Sequence, residues 1–332
     1  MDRIEFADEG KRGLGVVRST LPDNAGLSAQ AILEKAASSG MTAVLFNSLW
    51  EISPTLDTGE IAETGNEARK LGLGLALGLG HVNPVLPFRG QQLAEAGGGD
   101  MAAGVIRIAE LAAGAGISNL MFTVGRIEER FHPTIAWADQ LAGVASLVDR
   151  CSQRLADQGA RLMLKTHEEM TSWEILRLVK RSGPAVMSVA LDPVNFVCRM
   201  EEPVAATRRL APHIIQVHVD DAVLRFEGDE MRRYLAPVGD GVVDWRAILG
   251  IVPDAAVWIE MHSGQFAMPV FDPEWLRVQP EIVLEEYAAL FAMANEFGTR
   301  SIPWDQSAPT SRFLHACEAI RRHLPPAQPL GH

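Results

Sequence analysis

The sequence predicts an α/β protein folded as a single closed (β/α)8 barrel of eight parallel strands. Three observations predict it: eight short apolar runs, helix-periodic stretches between them, and polar residues gathered at the C-terminal ends of the runs. The strands are expected at 15–18, 42–47, 73–79, 119–124, 161–165, 186–191, 213–219 and 256–260, each β-branched or Leu-rich, as in VMSVAL and HIIQVHV. Helices are expected at 28–39, 61–70, 101–113, 135–158, 172–181 and 203–210, with 281–297 after the last strand. Gly40 and Gly72 stop the first two helices, and Thr171 is placed to cap the fifth.

An open doubly wound sheet would advertise a glycine-rich phosphate turn between its first strand and helix. The run from Gly72 to Gly80 is glycine-rich, but its spacing is not GxGxxG and it lies within a strand. Small residues where a narrow barrel packs closely explain it better. Two connections, 82–100 and 261–280, exceed ordinary loop length, and in a barrel long loops after strands build the active-site mouth. The whole chain, 1–332, reads as one domain, with the Pro-rich tail 325–332 frayed.

The chain has 332 residues, 47% of them hydrophobic, enough to bury one large core. With 30 Lys and Arg against 42 Asp and Glu the net charge is −12, which argues against nucleic acid and anionic membrane as partners. The start MDRIEFADEG lacks the pattern of a signal peptide, and no run is apolar enough to span a bilayer, so a cytoplasmic location is expected. Cys151, Cys198 and Cys317 form no CxxC pair and read as reduced, buried thiols.

An ionisable side chain at the C-terminal end of a barrel strand is where chemistry is sought. Asp192 closes VMSVAL, His218 ends IIQV and Glu260 follows AVWI, so three successive strands present carboxylate, imidazole and carboxylate to one mouth. Any one of them alone would serve as well as a cap or rim ion pair; three together are costly unless a cation joins them. Hard oxygens with one imidazole suit Mn2+, Mg2+ or Co2+. Lys165 and His167, two apart on one strand end, face the same mouth. Lys165 needs a carboxylate, expected from Glu168 or Glu169, and His167, kept neutral by nearby positive charge, is the expected general base. Both residues read equally as support, Lys165 as an orienting ion pair and His167 as a hydrogen bond to a ligand. Asn195, Asp221, Arg225, His81 and His262 are candidate partners for substrate hydroxyls, with capping and solvated loop charge as the plainer reading.

The segments LKTHEEMTS, VALDPVN, IIQVHVDD, PVGDGVVDW and WIEMH resemble those of the xylose isomerase-like TIM barrels, a group of sugar isomerases, epimerases, dehydratases and lyases. The resemblance implies metal ligation by Asp192, His218 and Glu260. It also implies a further glutamate where this chain has Lys165, with His167 retained. A proton shuttle between two glutamates is then in doubt, whereas one base beside a metal-polarised carbonyl suffices for elimination. The branch most similar on this ground is the α subunit of C-glycoside deglycosidases, which cleave a carbon–carbon bond in 3-oxo-sugar conjugates alongside a small β subunit. The alternatives are a sugar isomerase or epimerase in which Glu168 or Glu169 replaces the missing glutamate, and a non-catalytic sugar-binding barrel.

Overall fold

In the computed structural model, which describes residues 13–262, 264–279, 281–299 and 308–324, the strands run in chain order around a closed ring. They are β1 (Leu14–Val17), β2 (Ala43–Phe46), β3 (Gly74–His81), β4 (Asn119–Thr123), β5 (Arg161–Lys165), β6 (Met187–Leu191) and β7 (Ile214–Val219). Then β8 (Asp221–Glu227) and β9 (Glu230–Ala236) leave the ring, β10 (Ala256–Ile259) closes it against β1, and β11 (Phe266–Met268) joins β9 outside it. All eight pairings of the ring are parallel, so the expected barrel is present and the expected strands hold to within a few residues. The tail 325–332 lies outside the described residues.

Two apolar layers hold the ring. Alternate strand residues point inward, where Val17, Leu45, Ala76, Met121, Met163, Ala190 and Trp258 fill the barrel. The outward residues pack under the helices in a larger core. Trp258 is the bulkiest inward group, and Gly15 makes room for it: a Cβ there would lie 2.4 Å from the indole. At Gly78 a Cβ would meet the Asn47 carbonyl oxygen at 2.5 Å, so the glycine run does mark close packing inside a strand. The helix Ser172–Ser182 is set by a reciprocal cap: Thr171 Oγ1 accepts from Glu174 N at 3.1 Å and Glu174 Oε2 from Thr171 N at 2.8 Å, an arrangement that contributes about 1 kcal/mol.

Three expectations change. The connection 82–100 contains a short helix, Gln91–Ala96, and 261–280 contains β11 and the helix Pro273–Arg277. Arg18 and Glu260 fall just past their strands. Asp221 and Arg225, expected in a mouth loop, belong to the antiparallel sheet β11-β9-β8. That sheet packs on the helix Leu284–Phe297 through a separate cluster including Leu224, Met231, Met268 and Leu290.

Candidate catalytic centre at the barrel mouth

The inward alternation that buries Met163, Ala190 and Trp258 continues to Lys165, Asp192 and Glu260 two residues on, and on β7 it selects Gln216 and His218. These polar groups form one cluster. Lys165 Nζ donates to Glu260 Oε2 at 2.7 Å and lies 3.3 Å from both Asp192 Oδ2 and His262 Nε2. His218 Nδ1 meets the same Glu260 Oε2 at 2.5 Å, while its Nε2 lies 2.9 Å from Gln216 Nε2. An amide that donates there leaves the imidazole proton on Nδ1, where Glu260 accepts it. His262 is held by Asp220, whose Oδ2 accepts from its backbone N at 2.8 Å and contacts its Nδ1 at 2.9 Å.

Burial opposes every charge in this cluster, but the charges answer one another. Glu260 and Asp192 outweigh burial at Lys165 and hold its pKa above the ordinary lysine range. Burial would raise Glu260, yet Lys165, His218 and His262 hold it well below the usual carboxylate range. His262 is likewise raised against burial by Asp192, Glu260 and Asp220, with Lys165 opposing. Lys165 is therefore answered by Glu260 and Asp192, and the expected partners Glu168 and Glu169 do something else.

They hold His167. Its Nδ1 lies 2.9 Å from Glu168 Oε2 and 2.6 Å from Glu169 Oε2, and Glu169 also accepts from Gly125 N at 3.1 Å. Burial lowers the imidazole, but the two carboxylates override it and push it up to about 10; reciprocally, Glu168 falls to about 2 despite its own burial, with Arg233 assisting. The expected neutral imidazole is therefore an imidazolium at neutral pH. With Nδ1 taken by both carboxylates, Nε2 is the remaining ring nitrogen.

Residues behind the mouth lock it in place. Thr166 Oγ1 donates to Asp192 O at 2.9 Å and accepts from Asp192 N at 2.6 Å, joining the ends of β5 and β6. Both ends of the Asn195 amide are used, Nδ2 on Thr166 O at 3.2 Å and Oδ1 on Arg233 Nη1 at 2.9 Å, so Asn195 supports the site from below rather than presenting a free amide. Buried Arg233 also reaches Gly264 O at 3.0 Å and stacks 4.5 Å from the Phe266 ring. Asp221 is fully buried and accepts from Ala222, Gly239, Gly241 and Val243 backbone N–H groups; it anchors the loop after β9 and has no face for a ligand. Arg225 lies over the Tyr234 ring at 5.9 Å on that sheet. His81 ends β3 with Nδ1 2.8 Å from Thr123 Oγ1, and burial, then His167, Arg126 and Arg89, lower it to about 4, so it is neutral. Cys151, Cys198 and Cys317 are buried, and burial pushes the Cys151 thiol up to about 12 and Cys317 to about 11, as inert core thiols.

The donors fit a divalent cation by type. Asp192, Glu260 and His262 each offer an atom, all within 4.8 Å of one another, and both Asp192 Oδ atoms are buried without a hydrogen-bond donor. The grouping differs from the expected triad in one member: His262 stands with the two carboxylates, and His218 bonds to Glu260.

Comparison with known proteins agrees with this architecture. The Escherichia coli (strain K12) protein YihM is 29% identical over 127 residues, covering 38% of this chain and 39% of that protein. Among solved structures, D-psicose 3-epimerase from Clostridium cellulolyticum H10, crystallised with D-tagatose, is similar in fold at TM-score 0.64 and 12% identity, covering 94% of this chain and 99% of that one. The 3-keto-D-glucoside 4-epimerase YcjR from E. coli is similar at TM-score 0.56 and 12% identity, covering 86% and 100%. The xylose isomerase-like TIM barrel profile matches residues 33–276, well over half of the chain, and the protein belongs to that family.

Proposed function

We propose that the protein is a sugar-directed enzyme that removes the proton next to the carbonyl of an oxo-sugar conjugate and eliminates the conjugated group, cleaving a carbon–carbon bond. What supports this reading is an unlike set at the mouth: His167, two residues past β5, bonded through Nδ1 to Glu168 and Glu169, and Glu260, just past β10, bonded to Lys165. Glu260 takes the proton from carbon. The C–H electron pair enters an enolate; as the carbonyl re-forms, that pair becomes a C=C bond to the neighbouring carbon, the bond from that carbon to the conjugated group breaks with its electron pair leaving on the group, and His167 Nε2 gives the departing carbon a proton. Where no ion takes its place on the carboxylates, Lys165 holds Glu260 ionised and places positive charge beside the developing oxyanion. Glu168 and Glu169 keep His167 charged until it gives up its proton.

Asp192, Glu260 and His262, with His218 behind Glu260, are the residues that would hold a divalent ion, Mn2+ foremost with Mg2+ or Co2+ as alternatives, and such an ion would supply a Lewis acid for the carbonyl. A small β subunit beside this chain belongs to the same reading, and co-purification tests it.

The test is incubation with a 3-oxo-C-glycoside and, separately, a free ketose, in D2O with Mn2+. Release of the aglycone is expected, with His167→Gln at least ~100-fold slower and unchanged in metal content. Full turnover by His167→Gln would sink the assigned role. A second reading is epimerisation, in which the same acid and base return the proton to the same carbon; the fold likeness to two sugar epimerases favours it. Deuterium entering the sugar without aglycone release would select it. Inertness toward both substrates would leave a sugar-binding barrel.

A further inference from the structure

Lys165 places a positive charge where an ion-binding centre least accommodates one. Its Nζ lies 2.7 Å from Glu260 Oε2, 3.3 Å from Asp192 Oδ2 and 3.3 Å from His262 Nε2, touching each member of one of the two groups of side chains whose donor atoms gather closely enough to hold an ion; the other group, His167, Glu168 and Glu169, lies beyond β5 and makes no hydrogen bond or ion pair with the lysine. A divalent ion would approach the same oxygens to roughly 2.0–2.2 Å. Two cations on one pair of carboxylates repel strongly at such separations, and more so in a buried site. The lysine cannot withdraw by moving its backbone: β5 is paired on both sides, and Thr166 is tied to Asp192 by two hydrogen bonds. Only its four-carbon stem can turn away.

The fit of the ammonium is uneven. Its bond to Glu260 is short and well formed, but at Asp192 it stands off, and neither Asp192 oxygen receives a hydrogen bond. An occupant that satisfies the charge of Asp192 without satisfying its lone pairs can be displaced by one that satisfies both.

We infer that Lys165 is the built-in cation of this centre: its ammonium and a divalent ion are alternative occupants of the Asp192–Glu260 carboxylate pair, and the lysine sets how tightly the centre takes an ion. The inference rests on reading this cluster as an ion-binding centre. It is independent of which sugar reaction follows, because its test uses the metal alone and the functional test uses sugar turnover.

The experiment titrates Mn2+ calorimetrically into the full chain, stripped with chelator, as wild type, Lys165→Met and Lys165→Gln. Both variants should bind Mn2+ at least ~30-fold more tightly than wild type, equivalent to about 2 kcal/mol. The rise in melting temperature on adding Mn2+ should be larger in the variants than in wild type. Should a variant fold poorly with its carboxylates unanswered, Mn2+ should restore its folded circular dichroism signal, and failure to restore it counts against the inference. Equal affinity in the three proteins, tighter binding by wild type, or no binding by any of them overturns it.

Discussion

Raising the pH from 6.5 to 9.5 should leave His167 charged in the folded protein while the same residue in the unfolded chain loses its proton. Burial works against the imidazolium, but Glu169 and Glu168 at 2.6 and 2.9 Å push its pKa from 6.5 up to about 10. A group raised on folding stabilises fully below its unfolded pKa and loses that contribution as the pH climbs to its folded value. Over the three pH units from 6.5 to 9.5, at about 1.36 kcal/mol per unit, this one residue should withdraw on the order of 4 kcal/mol. Glu168 behaves in the opposite sense: lowered to about 2, it contributes above the ordinary carboxylate range and fails as the pH falls toward 2. The pair is therefore strongest between about pH 4.5 and 6.5. Imidazole NMR signals followed against pH, with the His167 resonance assigned by its loss in His167→Gln, read the charge directly, and urea denaturation across the same range reads the stability. A His167 midpoint below pH 7 would refute the paired-carboxylate argument and return the residue to the role of a neutral base.

Two further outcomes follow from the packing. Gly15→Ala should destabilise the barrel by about 1–3 kcal/mol in urea unfolding, because its Cβ would lie 2.4 Å from the buried Trp258 ring; unchanged stability would show that the indole can shift. Asp221→Ala removes the acceptor of four backbone N–H groups and should cost about 3–5 kcal/mol. Limited proteolysis should then open the chain between residues 236 and 243, and a variant as resistant as wild type would contradict the anchoring role.

The barrel was legible because each of its strands is built on a short, mostly apolar run, and the mouth because Asp192, His218 and Glu260 stand toward the same end of three of those runs. The outer sheet was not, since DAVLRFE and EMRRYLA carry charges in place of clean alternation. One signal was there: the two-residue Gly228-Asp229 link, with Gly228 at φ 61°, is hairpin chemistry. Arg233 could not be found from its neighbours in sequence, because what it supports, Asn195 and Gly264, lies on other elements. The partners of His167 were not legible, because proximity to Lys165 is visible along a strand, whereas two consecutive glutamates folding back onto one nitrogen is a tertiary arrangement.

The three-stranded sheet beside the mouth rests on its own apolar cluster and on the helix Leu284–Phe297, not on the barrel's interior. The sheet still reaches the chemical centre through Arg233 of β9, which bonds Asn195 and, through Asn195, Thr166 beside Asp192, so a substitution in that cluster is felt at the mouth by way of one arginine.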